Sequence, residues 1–191
     1  EAARVPGWRV LPTPSRRYLL ETSSDDDGFL DDGIERLEVG RRLFERDYPP
    51  KRELGDVPIV RVCNGPEEFQ RFSNVPRGIA GYFQPSNGEL VVYDDSAIDR
   101  NVTLAILIHE AFHQYCHVLM SGAEAHRWFD EGHGDYYAGI ELERGRARIA
   151  KRQPGNLDRL PVIKRMVKEG TWAPLSTHIH FGHAEWLNQG P

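Results

Sequence analysis

The sequence predicts an α+β (α/β) domain with a small mixed sheet, and three observations carry that expectation. Short β-like runs occur at Arg17 to Thr22, Val57 to Cys63, Ile79 to Phe83 and Leu90 to Tyr93. An amphipathic helical pattern precedes the second of them. The segment from Leu104 to Tyr137 then carries two histidines and a glutamate in a helix that is apolar nearly all round. Its 191 residues suit one domain with a substantial core. With 39% hydrophobic and 28% charged residues, neither wholesale disorder nor a membrane protein is indicated. The longest apolar run, around Leu104 to Ile108, is too short to span a bilayer. A net charge of −5 gives no basic footprint for nucleic acid, so no nucleic-acid partner is expected.

Residues 1–16, rich in Pro and Arg, read as an irregular lead-in to a first strand at Arg17 to Thr22. The acidic run Asp25-Asp26-Asp27 reads as a loop into a helix, where carboxylates favour the positive N-terminal end, rather than as a calcium site. Phe29, Leu30, Ile34, Leu37, Leu43 and Phe44 then mark an amphipathic helix to Tyr48, stopped by Pro49-Pro50. A β-branched strand at Val57 to Cys63 leads through Asn64-Gly65-Pro66 into a short helix ending at Phe72. Ile79 to Phe83 and Leu90 to Tyr93 form a hairpin, whose edge strand is expected beside the following helix, where it can pair with an extended peptide.

Asn101 to Met120 is the central helix, with Asp99 or Asn101 as its cap. It holds His109-Glu110-Ala111-Phe112-His113, which the chain's own composition would produce by chance roughly 0.03 times in this length. Histidines four residues apart share one helix face, so both imidazoles reach one cation. A catalytic zinc typically takes three protein ligands and leaves one position for water, whose pKa it lowers towards ~7. Glu131, on the next helix, is the expected third ligand, because the chain has room after His113 to turn back. Asp135, one turn on, can accept the free N–H of His109 or His113. Glu110 is the expected general base. His117 lies too far along the same helix for good tetrahedral geometry, and His126 is no better placed. With only Cys63 and Cys116 present, no cysteine zinc site and no disulfide framework can be read.

Beyond this segment the reading is coarser. A second helix runs from Arg127 or Trp128 to Leu142, with Trp128 as a packing anchor between the two motif helices and His133 facing solvent. Asn156 to Lys168 is expected to be helical despite Pro161, Gly170 to His180 a loop, and Trp186 to Pro191 in or just after a last helix. An oxyanion stabiliser is drawn from Tyr136, Tyr137, His178, His180 and His183.

His109-Glu110-x-x-His113 followed by Trp128-Phe129-x-Glu131-Gly132-x-x-Asp135-Tyr136 resembles the gluzincin class of zinc metallopeptidases. The order of elements is similar to the bacterial peptidase MA-like family, whose members are uncharacterised gluzincin-like domains. That resemblance implies a lead-in over 1–16 and a single zincin-like domain over 17–191, truncated at its C-terminal end. It also implies zinc on His109, His113 and Glu131, Glu110 as base, Asp135 as supporting acid, and a peptide or protein substrate. The small residue before that acid is Gly134, an innocuous departure, while His133 stands where an apolar or small residue is usual. The metzincin pattern fails because its third histidine would fall near Leu119. The family is exported, and a chain beginning at Glu1 rather than Met fits a processed or excised segment, so an extracytoplasmic (secreted or periplasmic) location is expected. Two other readings stand beside peptide hydrolysis: a catalytically silent zinc-binding or protein-interaction module on this fold, and a zinc hydrolase of non-peptide amides. Glu110 discriminates against the silent module, which would not need it.

Overall fold

A computed structural model describes residues 5–55, 57–73, 75–143, 146–150, 159–182 and 184–186. The chain is α+β, with one mixed five-stranded sheet in the order β1-β2-β3-β5-β4. Strand β1 (Arg9–Pro12) runs antiparallel to β2 (Leu19–Thr22), which lies parallel to β3 (Ile59–Cys63). Strand β5 (Glu89–Tyr93) is parallel to β3, and β4 (Gly81–Gln84) returns antiparallel along the edge, completing the expected hairpin. The presence of β1 corrects the irregular lead-in over 1–16. Its four residues carry no periodic signal of their own and are ordered by pairing Val10 with Glu21 and Leu11 with Leu20.

Two helices cover one face of the sheet. Helix α1 (Asp27–Asp47) begins where the Asp26 carboxylate accepts the Phe29 N–H at 2.8 Å. The acidic run is balanced by cations, with Arg100 on Asp26 and Asp32 and Arg9 on Asp27. Helix α3 (Ser96–Leu119) packs against α1 and over β4 and β5. It starts before Asn101 but is interrupted at Asp99 (φ −154°, ψ 95°), whose carboxylate accepts the Asn101 N–H. Asp99 is thus the cap of the regular part. Period-two alternation sends Leu20, Val60, Val62, Leu90 and Val92 into this layer, where they meet Phe29, Leu37, Phe44, Leu104, Leu107, Ile108 and Phe112. Burial of each such side chain contributes about 1.5–3 kcal/mol. The opposite face is covered by α2 (Pro66–Phe72), with Phe69 against Cys63 and Val91. On that face Arg61 spans two strands to pair with Glu21 at 3.0 Å and Glu89 at 2.6 Å.

One polar side chain fixes α3 to the sheet. Gln114 is buried, and its amide donates to the carbonyls of Ile59 at 3.0 Å and Gly88 at 2.7 Å. This ties the helix to β3 and to the turn between β4 and β5, and so sets its height above the edge strand.

Helix α4 (Arg127–Ala138) packs on α3 more extensively than any other pair of elements. It ends four residues before Leu142, because Gly139 breaks it and Ile140–Glu143 becomes β6 in a two-stranded sheet with β7 (Arg146–Ile149). The alternation Ile140-Glu141-Leu142-Glu143 is a strand pattern. Helix α5 (Leu160–Glu169) tolerates Pro161 in its first turn, where a missing N–H costs nothing, and stops at Gly170 with φ +70°. The expected start at Asn156 lies outside the described residues, as do His183 and residues 187–191. Within the expected loop Gly170 to His180, Leu175–His178 forms the short helix α6. No described helix is long and apolar enough to cross a membrane.

Candidate metal centre

Helices α3 and α4 converge where α3 turns a partly open side towards α4. Leu104, Ala105, Leu107, Ile108, Ala111 and Phe112 are buried, whereas His109, Glu110 and His113 lie at the intermediate exposure of a cleft wall. The i, i+4 spacing brings His109 Nε2 and His113 Nε2 to 2.9 Å. Glu131 Oε2 arrives from α4 at 3.4 Å from the first and 3.8 Å from the second. A tetrahedral centre with bonds of ~2.0–2.1 Å has ligand-to-ligand edges of about 3.3 Å, which these distances bracket. His109, His113 and Glu131 are the group among the described residues whose donor atoms lie close enough to hold one metal ion.

The outward nitrogens fix the tautomers. His109 Nδ1 faces Asp135 Oδ1 at 3.2 Å, and His113 Nδ1 faces Asp130 Oδ1 at 2.8 Å. A carboxylate at Nδ1 keeps the proton there and turns the Nε2 lone pair inward. Two lone pairs and a carboxylate oxygen then point at one place, an arrangement that repels itself and that a cation satisfies. Without a cation, a proton takes its place on His109 and supplies the positive charge that the carboxylates draw in. Burial opposes charge on His109, but the Asp135 and Glu131 hydrogen bonds outweigh it and hold the imidazole up at about 10. The His109 hydrogen bond in turn, against desolvation and with help from His113, holds Glu131 down at about 2. The donor set therefore fits a small divalent cation.

Glu110 does not belong to that set. Its carboxyl is pushed above the ordinary glutamate range by burial, against the opposing pull of His109, His113 and the Phe83 main-chain N–H. That N–H belongs to β4, so the edge strand stands against the carboxyl that sequence spacing marks as the base. Arg127 reaches Glu131 Oε1 at 3.0 Å, which leaves Oε2 as the oxygen facing the histidines. Gly134 makes the helix crossing close: a Cβ there would lie 2.9 Å from His109 Cε1. Its lack of a side chain is a requirement of this packing.

The remaining sequence candidates fall in different places. His133 is not turned to solvent. Its Nδ1 bonds the Phe129 carbonyl at 2.7 Å, its Nε2 lies 2.6 Å from the Tyr48 hydroxyl, and its ring stacks on Phe112. It joins α4 to the end of α1 because Phe112 and Phe129 offer rings and Tyr48 a hydroxyl. Phe129, packed on Tyr48 and Phe112, takes the anchoring role expected of Trp128, whose ring pairs among the described residues are with its neighbours Phe129 and His126. Tyr137 is buried with its hydroxyl donating to Asp47 at 2.8 Å, and Tyr136 is half exposed. His178 packs against Phe181 and Trp186, and His180 is exposed. Neither is joined to the centre by a hydrogen bond, ion pair or ring contact among the described residues. His117 lies against Phe83, and neither it nor His126 joins the ligand group.

Three residues at the centre escaped the sequence reading. Arg127 was legible as the i−4 partner of Glu131. Asp130 and Arg159, the latter 3.0 Å from Asp135 Oδ2, had no local signal. Compared with known proteins, the chain matches no family model and no curated protein.

Proposed function

We propose that the chain is a zinc-dependent peptide hydrolase of the gluzincin type. The observation that carries this reading is the convergence of His109 Nε2, His113 Nε2 and Glu131 Oε2 beside the carboxyl of Glu110 on the cleft wall, outside the ligand group. His109, His113 and Glu131 would hold the zinc, which when bound polarises a substrate carbonyl and makes water acidic. The protein's own groups supply the remainder. Asp135 and Asp130 hold the two rings in one tautomer, and Arg127 holds Glu131 by its outer oxygen. The Glu110 carboxylate takes a proton from the water that attacks the carbonyl carbon and delivers it to the amide nitrogen as the C–N bond breaks. A pKa raised by burial suits both halves of that transfer. An extended peptide lies along the edge strand β4, whose Phe83 main chain is on the side of Glu110. An extracytoplasmic location is part of the same proposal and rests on the resemblance alone.

The test separates binding from chemistry. Reconstituted protein is expected to hold about one zinc per chain, lost in a His109→Ala/Glu131→Ala variant. Glu110→Gln is expected to keep the metal and lose hydrolysis of a peptide library by about 10²–10⁴-fold. A wild type that stays metal-free sinks the centre; one that binds zinc and cleaves no peptide supports the silent module instead.

A further inference from the structure

A cavity of about 400 Å³ opens beside Glu110. One wall is small and apolar, formed by Ala80, Gly81, Val102, Ala105 and Ile106; the other carries His109, Glu110, Asp135 and Arg159. Close contact sets the apolar wall, since a Cβ on Gly81 would lie 2.7 Å from Ile106 and 2.9 Å from Val92. Among the described residues of the lining, Arg159 is the only arginine or lysine. Its Nε lies 3.0 Å from Asp135 Oδ2, so the guanidinium is tethered by one edge. The opposite edge, Nη1 and Nη2, makes no hydrogen bond or ion pair among the described residues, and the side chain is 51% exposed. Two parallel N–H donors in that geometry match the two oxygens of a carboxylate.

We infer that this cavity is a substrate subsite and that Arg159 is its carboxylate-binding residue, a step that rests on the peptidase reading of the centre. The entering residue presents a small or medium uncharged side chain to the apolar wall and an anionic carboxylate to Arg159. Position argues for this assignment over a role at the cleaved bond. Arg159 meets Asp135, and Asp135 meets His109 at Nδ1, the ring nitrogen turned away from the ligand position, so Arg159 is two contacts removed from the centre. An extended chain advances ~3.3–3.6 Å per residue, which brings a carboxylate one or two residues along within reach. The carboxylate is either a chain terminus or an Asp or Glu side chain, and both present the same two oxygens.

Binding without turnover tests this. Zinc-loaded Glu110→Gln protein is titrated calorimetrically with N-acetyl-trialanine as the free acid, as its amide, and as an amide with glutamate in the last position. The free acid or the glutamate peptide is expected to bind about tenfold or more tightly than the plain amide, and which one does so identifies the source of the carboxylate. Adding Arg159→Ala should abolish that ratio at full zinc content while leaving the plain amide's affinity within about twofold. Arg159→Lys, which keeps a charge beside Asp135 but lacks the planar fork, should lose most of the preference. A ratio near one before substitution, or one that survives Arg159→Ala, overturns the assignment. Hydrolysis by Glu110-containing protein is scored separately. A preference that depends on Arg159 without cleavage refutes the peptidase reading alone, and cleavage indifferent to the carboxylate and to Arg159 refutes the subsite alone.

Discussion

Asp130 holds the least advertised position in the centre. Its Oδ1 and His113 Nδ1 are both buried and 2.8 Å apart, a close charge contact rather than an aligned hydrogen bond, and neither atom has a hydrogen-bond partner among the described residues. Truncating Asp130 removes the carboxylate that faces this nitrogen and frees the ring to turn. Asp130→Ala is therefore expected to weaken zinc binding by about 10–100-fold, measured by competition with a chromophoric chelator, whereas Asp130→Asn, which keeps an acceptor, should lose less. Equal affinity in the alanine variant and the wild type would remove Asp130 from the account. At this scale the sequence spoke through spacing. His109, His113 and Glu110 are fixed relative to one another by a single helical turn, so they were legible. Asp130 and Arg159 act on residues of another segment, and the His133 ring turned inward because of partners on α1 and α3 that no local pattern announces.

Among the elements, α3 is held in place as much by Gln114 as by its apolar contacts. The amide bonds two carbonyls on the sheet, and no backbone group of the helix could replace it. Gln114→Ala strands both acceptors and opens a small void, for an expected loss of about 1–3 kcal/mol in urea unfolding of the metal-free protein. A change below ~0.5 kcal/mol would show that the tie is incidental. The long periodic helices and the hairpin were readable because their signal is internal. Strand β1 was not, since four residues on a sheet edge acquire their conformation from the strand they pair with. The end of α4 differs from the sequence expectation for another reason: the apolar positions of its last turns run on without a gap into Ile140 and Leu142, and Gly139 and the alternation after it are what stop the helix.

For the whole molecule, the two thiols give stability a pH dependence of definite sign. Burial pushes Cys63 and Cys116 from 9.0 up to about 12, with Glu68 and Asp130 respectively adding to it. Below about pH 9 both folded and unfolded chains keep these protons, and the thiols impose no slope. Above it the unfolded chain releases them first, so stability falls as pH rises towards 12, by about 1.4 kcal/mol per unit for each thiol. Urea midpoints at pH 8 and 10.5 should show a steeper decline for the wild type than for a Cys63→Ala/Cys116→Ala variant. Parallel declines would mean that the thiols do not contribute. Neither residue forms a disulfide.

The three ligand atoms come from two helices joined through a short excursion containing Ser121 and Gly122, both at positive φ. An ion bound there closes a ring between His113 and Glu131, much as a covalent staple would. The chain-entropy cost of bringing α4 back against α3 grows only as the logarithm of that loop, and a loop this short confines the unfolded chain by about 3 kcal/mol when cross-linked. Loading the centre would therefore also decide how often α4 peels away from the molecule, and a bound ion would act as a clasp on the part of the fold that carries its own third ligand.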